Sequence, residues 1–229
     1  MKALIVIMLM GAVAASSASA TAQIPDKIVY EGETYSLHSN PMEAFFAKNP
    51  DRKPEGGSIS SALWRGYRAI FGFQADRLVV KDVEIEVLVE DEDSLPPYSL
   101  TTFEWKSAVD DVVPKGETLF VDWFTGILIL PQGELVEYVH GGYESVYSDY
   151  ILLEVKEGKL VGSHAFGHEQ FREFRSFKRR RIRAYQGTAD YSRQLEKLRS
   201  MDGTGQKHRT VVDRYTLSLI SEFLDEGEK

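Results

Sequence analysis

VKEGKLV, residues 155–161, places a Glu-Gly pair between two short apolar segments. A tight turn between two antiparallel strands needs a residue at positive φ, where Gly or Asp costs least, so this spacing predicts a β-hairpin. Related spacings occur in FQADRLV, residues 73–79, and in LPQGELV, residues 130–136. We therefore predict a hairpin at each of these places, and one more around Glu31-Gly32.

The segments that flank these turns have the alternation of strands. Tyr67, Ala69, Phe71 and Phe73 fall on one face of a strand, because successive side chains in a strand point to opposite faces. One short helix interrupts the strands, with Asn40 as its N-cap, Pro41 at its first position and Glu43 closing a capping box.

The pattern changes from about His168 onward. Phe171, Phe174 and Phe177 recur at helical spacing, and Thr188 is a candidate cap for a second helix. The apolar residues Val212, Tyr215, Leu219 and Phe223 predict a last amphipathic helix. The sequence thus predicts an α+β fold, in which an antiparallel β-hairpin meander or sandwich is followed by a helical C-terminal third packed on the sheet.

Three regions follow from these patterns. Residues 1–22 have a basic Lys2, an apolar run too short to span a bilayer and small residues around Ala20, which is the organisation of a cleavable signal peptide. An uncleaved membrane anchor is the alternative. Residues 23–166 form a β-rich domain, and residues 167–229 form a helical region that we expect to fold with it as one cooperative unit.

Composition excludes several classes of function. The 229 residues include no cysteine, which removes thiol nucleophiles, disulfides and thiolate zinc sites. A formal net charge of −8 opposes nucleic-acid binding. We predict no cofactor and no transmembrane segment after signal cleavage; the partner is an unknown envelope protein or small ligand.

Basic residues crowd the segment from Arg172 to Arg183. On a helix this segment is either a surface that binds phosphate or lipid headgroups, or a solvated face, and the overall acidity favours the solvated face.

Two segments combine aromatic and polar side chains with glycine, which lets another chain or a ligand come close. Aromatic, His and Arg side chains anchor ligands through large amphipathic surfaces. The candidate binding residues are Trp64, Arg65, Tyr67, His140, Tyr143, Glu144 and Tyr147. The alternative is that these side chains, Trp64 and Tyr67 above all, belong to the core with their polar ends hydrogen-bonded.

Catalytic motifs are absent from the sequence. His168-Glu169 begins like a metallopeptidase helix, but Arg172 occupies the position of the second histidine. His164 and His168 are weak candidates for metal ligands.

The segments LWRGY, residues 63–67, and YVHGGY, residues 138–143, together resemble a family of uncharacterised secreted bacterial proteins. The resemblance covers most of the chain after residue 22 and implies one common architecture. It carries no known activity and no catalytic residues.

The leading hypothesis is an exported, non-catalytic binding or interaction protein in the periplasm or outside the cell. An inhibitor or immunity protein for an envelope toxin belongs to the same class. The rival is a cell-envelope hydrolase with His140 or His164 as its base and Glu144 or Glu169 as the partner. A third hypothesis is an adhesion module that uses the basic helix.

Overall fold

The computed structural model describes residues 21–57, 60–90, 101–201, 217–220 and 222–224. The predicted signal peptide therefore lies almost wholly outside the described residues, as do Val212 and Tyr215 of the predicted last helix. The strands are β1 (Asp26–Tyr30), β2 (Glu33–Leu37), β3 (Arg68–Gln74), β4 (Arg77–Glu90), β5 (Thr101–Ser107), β6 (Gly126–Glu137), β7 (Val146–Lys156) and β8 (Lys159–Gly167). The α-helices are α1 (Met42–Lys48), α2 (Val109–Val112), α3 (His168–Gln186) and α4 (Ala189–Met201), and Pro50–Arg52 forms a 3₁₀ turn. Residues 217–220 and 222–224 are also helical.

The strands form a mixed eight-stranded sheet in the order β2-β1-β3-β4-β8-β7-β6, with β5 paired to the second half of β4. The α+β prediction is confirmed. The predicted meander is purely antiparallel, whereas β1 and β3 pair in parallel, at Lys27–Ile70 and Ile28–Phe71. A parallel pair needs a long crossover, and the segment that carries α1 supplies it between β2 and β3.

The two ends of this sheet meet. The backbone N–H of His38, just after β2, donates to the carbonyl of Ile129 in β6 at 2.8 Å, and the Ser39 hydroxyl donates to the carbonyl of Ile127 at 3.0 Å. The sheet therefore curls round one interior instead of stacking as two separate sheets.

That interior holds the inner core. Its strand residues follow the predicted alternation, since Tyr67, Ala69 and Phe71 are fully buried and Phe73 packs against them. The inner core comprises Ile28, Leu37, Met42, Phe45, Phe46, Tyr67, Ala69, Phe71, Leu78, Val80, Val83, Val112, Val113, Val121, Leu128, Leu130, Leu153 and Val155.

Three of the four predicted hairpins are confirmed. Glu31-Gly32 joins β1 to β2 with φ values of 51° and 84°, and Glu157-Gly158 joins β7 to β8 with 48° and 75°. Positive φ at both central positions matches the right-handed twist of the flanking strands. In the β3–β4 turn the positive φ falls on Ala75, at 54°, and not on Asp76, which is the arrangement of a turn with only its first central residue at positive φ.

The hairpin predicted at residues 130–136 is wrong. Gly133 has the expected positive φ of 67°, but it lies inside β6, where the pairing with β7 shifts register between Gln132 and Leu135. A glycine at positive φ serves a β-bulge as well as a turn, because both require a left-handed residue.

The capping prediction for α1 is also wrong. The helix begins at Met42, Pro41 is its N-cap, and no side chain caps it. Asn40 and Glu43 instead hydrogen-bond to tyrosine hydroxyls, those of Tyr143 and Tyr67 respectively. Competition from these long-range hydrogen bonds overrides the local capping pattern.

The C-terminal helices pack on the outer face of β6, β7 and β8. The resulting outer core comprises Ile127, Tyr150, Leu152, Phe166, Phe171, Phe174, Ile220 and Leu224. Thr188 caps α4 as predicted, since its hydroxyl accepts the N–H of Tyr191 at 3.1 Å. In the last helical segment the fully buried residues are Ile220 and Leu224, while the predicted Leu219 and Phe223 are only partly buried.

Candidate functional site

A cleft of about 630 Å³ lies between α3 and the part of the sheet that β6 and β7 form. This volume is in the range that binds small ligands, roughly 300–1,000 Å³. Its walls are His38, Ile129, Tyr143, Glu144, Tyr150, Phe171, Phe174, Arg175, Lys178, Arg179, Ile182, Arg183 and Gln186.

The floor of the cleft is aromatic. Tyr150 stacks on Phe171 with 3.7 Å between ring centroids, and Phe171 stacks on Phe174 at 6.1 Å. The Tyr150 hydroxyl accepts the backbone N–H of Tyr147 at 2.8 Å, and burial raises the pKa of this tyrosine. Its polar end is therefore satisfied within the protein, and its ring is held in place.

His38 and Tyr143 form a stacked pair beside this floor. Their ring centroids are 4.8 Å apart with an interplanar angle of 12°, and Tyr147 meets His38 edge-on at 5.8 Å. Burial lowers the pKa of His38 to about 4, since the charged imidazolium loses its hydration there. The imidazole is consequently neutral at neutral pH and acts as an aromatic surface.

A buried ion pair fixes Tyr143 from behind. The guanidinium of Arg65 donates to both carboxylate oxygens of Asp26 at 2.9 Å, and its other terminal nitrogen donates to the Tyr143 hydroxyl at 3.3 Å. That hydroxyl in turn donates to Oδ1 of Asn40 at 2.9 Å. Burial raises the pKa of Tyr143 to about 12, so the phenol stays protonated.

Asp26 is fully buried and still satisfied. It accepts the backbone N–H of Ala69 at 2.9 Å in addition to the Arg65 contacts. Burial raises the pKa of Asp26 to about 6, and the positive charge of Arg65 opposes this shift. At neutral pH the carboxylate is charged and paired, which a buried charge requires.

One face of α3 supplies the cations of the cleft. Arg175, Arg179 and Arg183 are spaced by four residues and therefore lie on one side of the helix. Arg175 forms an ion pair with Glu144, at 3.4 Å, which links the helix to the segment after β6.

The seven predicted binding residues separate into three groups. Tyr143 and Glu144 line the cleft, and Tyr147 contacts His38 at its margin. Arg65 and Tyr67 are buried in the interior, with the Tyr67 hydroxyl donating to Glu43 at 2.7 Å. For Tyr67, the alternative of a core residue with its polar end hydrogen-bonded describes the structure.

The other two predicted residues lie on the surface. Trp64 is 53% exposed, so the alternative that it belongs to the core is wrong. His140 is exposed too, with its Nδ1 3.1 Å from the Tyr138 hydroxyl. Neither Trp64 nor His140 lines the cleft.

The histidines proposed for catalysis or metal binding have other neighbours. His164 lies 2.6 Å from Glu154, and His168 lies 3.8 Å from Glu169. Within the described residues no group of three or more His, Asp or Glu side chains is arranged to hold a metal ion. Glu154, rather than the predicted Glu144 or Glu169, is the carboxylate partner of His164.

Sequence reasoning missed His38 and Asp26 as parts of the site, and for the basic segment from Arg172 to Arg183 it favoured a solvated face. The four-residue spacing of the arginines was visible in the sequence and identifies one helix face. His38 and Asp26 carry no such signal, because their partners come from distant segments.

Comparison with known proteins gives no relative: no protein family, curated protein or solved structure matches this chain. In the part of the chain that the structure describes, no helix combines the length and apolar character needed to cross a membrane.

Proposed function

We propose that this chain is an exported, non-catalytic binding protein that holds a small ligand in the cleft between α3 and the sheet. The observation that carries the proposal is the cleft itself, where a rigid aromatic floor lies beside converging polar side chains. The apolar run and small residues before position 23 support export.

Binding is favoured over catalysis because the hydroxyl and carboxylate groups of the cleft are engaged by other groups of the protein. The Tyr143 hydroxyl bridges Arg65 and Asn40, and Glu144 pairs with Arg175. These contacts orient side chains without leaving an activated nucleophile or a base paired with an acid. Preorganised walls of this kind reduce the entropy lost when a ligand binds.

The experiment is a thermal-shift screen of a small-molecule collection against matched tryptophan variants. Ile182→Trp fills the cleft, whereas Ala184→Trp places the same side chain on an exposed position of the same helix. Compounds that stabilise the wild type should stabilise Ala184→Trp equally and lose their effect on Ile182→Trp. Compounds that stabilise all three proteins alike would show that the cleft is not the binding site.

The alternative proposal is a cell-envelope hydrolase that uses His164. Its support is the short contact between His164 and Glu154, which is within the reach that general base catalysis needs. We place this alternative second because neither side chain lines the cleft.

A further inference from the structure

The walls of the cleft differ in chemistry. The apolar wall consists of Ile129, Tyr150, Phe171, Phe174 and Ile182, and the basic wall consists of Arg175, Lys178, Arg179 and Arg183. In α3, Phe174 lies three positions after Phe171 and Ile182 eight positions further on, whereas Arg175, Arg179 and Arg183 are four apart. The helix therefore presents both apolar and cationic side chains to the cleft. A ligand that filled the cleft would contact both.

The positive charge of this wall is only partly compensated. Glu144 is the one carboxylate among the cleft-lining residues, and it is engaged with Arg175. Arg179 and Arg183 form no ion pair with another described residue.

Two other arginines of α3 have partners outside the cleft. Arg172 bonds to Glu169, and Arg181 lies 3.8 Å from Glu222 and donates to the carbonyl of Leu219 at 3.1 Å. The chain as a whole carries a net charge of −8. Cations without a carboxylate partner at a concave site on an acidic protein focus a positive potential there and attract anions to that site.

An anion alone would leave the partly buried side chains of the apolar wall, Ile129 and Ile182, in contact with water. Burying apolar surface contributes roughly 25 cal/mol per Å², so a ligand with an apolar body gains by covering these two side chains. A purely apolar ligand would gain nothing from the arginines and would take water away from them, which is unfavourable for a charged group. The pairing of the two walls is complementary to a molecule with both parts.

We infer that the ligand is a single-chain amphiphile, with its apolar chain along the apolar wall of the cleft and an anionic headgroup at Arg179 and Arg183. This inference rests on the proposed binding function and specifies its ligand class. Carboxylate and phosphate headgroups both suit the planar, forked guanidinium groups.

The test is isothermal titration calorimetry with three probes: decanoate, decyltrimethylammonium and inorganic phosphate. Decanoate has both parts of the inferred ligand, the ammonium compound has the same chain with the opposite charge, and phosphate lacks the chain. Wild-type protein should bind decanoate at least about tenfold more tightly than either other probe, as a charge-assisted hydrogen bond at the headgroup implies.

Two double variants locate the headgroup. Arg179→Gln with Arg183→Gln should weaken decanoate binding by about tenfold or more. Arg172→Gln with Arg180→Gln removes the same charge from exposed positions of α3 outside the cleft and should leave the affinity unchanged. Equal affinity of decanoate and decyltrimethylammonium for the wild type, or equal effects of the two double variants, would overturn the inference.

The screen described above separates this inference from the proposed function. If Ile182→Trp removes the stabilisation by screened compounds while decanoate fails to bind, the cleft is a binding site for another class of ligand. If no compound depends on the cleft and decanoate does not bind, both proposals fail.

Discussion

The ion pair of Arg65 and Asp26 is buried, and its role in the site is to position Tyr143. Removing one partner of a buried pair typically costs about 3–5 kcal/mol, because the other charge is left uncompensated. Here the second terminal nitrogen of Arg65 also donates to the Tyr143 hydroxyl. A strongly held cation thus fixes one wall of the cleft from inside the protein.

His38 should make the free energy of unfolding depend on pH. Its pKa is about 4 in the folded protein and about 6.5 when exposed, so the unfolded chain binds a proton first as pH falls. Stability from His38 is therefore complete above about pH 6.5 and is lost progressively toward pH 4. Replacing His38 with Phe keeps an aromatic ring and removes this loss. Allowing for its partial exposure, we expect the wild type to lose on the order of 2 kcal/mol relative to His38→Phe between pH 7 and pH 4.

Urea denaturation of both proteins at several pH values measures this difference. Asp26, with its pKa raised to about 6, works in the opposite direction, because its stabilisation grows as pH falls through that range. The contribution of Asp26 is present in both proteins and cancels in the difference. A difference that stays constant from pH 7 to pH 4 would contradict the assignment to His38.

The sequence identified candidate side chains but not how they are arranged. The segments around Arg65 and Tyr143 were singled out for their side chains, and the structure brings these two into contact. Their roles depend on Asp26, which is one of 35 acidic residues and lies 39 positions from Arg65. Without the fold, nothing in the sequence identifies which carboxylate neutralises which cation.

Among the structural elements, the sequence predicted those turns whose conformation depends only on their own residues. Glu31-Gly32 and Glu157-Gly158 are two-residue turns, for which the sequence requirement is strict. Gly133 satisfies the same requirement inside β6, and only the register of the partner strand β7 makes it a bulge. Local patterns could not predict that β1 and β3 pair in parallel either, because the connection between two strands decides the direction in which they pair.

Replacing Gly133 tests whether it forms a bulge in β6. A Cβ at this position would lie 2.0 Å from the Ser148 hydroxyl oxygen, and the φ of 67° disfavours any residue with a side chain. Gly133→Ala should therefore lower the free energy of unfolding by more than the roughly 1–2 kcal/mol that a left-handed alanine costs. Chemical denaturation measures this change.

Two other glycines separate the causes. Gly116 has a φ of 84°, and a Cβ added there would have nothing within 4 Å, so Gly116→Ala tests the backbone strain alone. Gly167 has neither feature, and Gly167→Ala should cost only about 1 kcal/mol or less, the difference between glycine and alanine at the N-cap of α3. The bulge assignment fails if Gly133→Ala is no more destabilising than Gly116→Ala.

In the whole molecule, β6 and β7 belong to both cores. Leu128 and Leu153 point into the inner core, while Ile127 and Leu152 point out to the helices. Residues adjacent in a strand face opposite sides, so the same two strands carry the packing of both halves. Loss of the C-terminal helices would expose the outer faces of β6 and β7, and the inner core depends on the inner faces of the same two strands.

This shared sheet predicts that the β-rich and helical regions unfold together. Phe174→Ala removes a fully buried ring from the outer core and should cost about 3–5 kcal/mol. The three tryptophans, Trp64, Trp105 and Trp123, all lie in the β-rich region, and Trp123 packs against the inner core with its indole N–H donating to the Pro41 carbonyl at 2.9 Å. Tryptophan fluorescence therefore reports on the β-rich region. In urea, the fluorescence transition and the helical circular dichroism transition of Phe174→Ala should shift together to the same lower midpoint.

Val161→Ala, at an exposed position of β8, is the control and should change the free energy of unfolding by no more than about 0.5 kcal/mol in either signal. A fluorescence midpoint that stays at the wild-type value while the helical signal melts early would show two independent units.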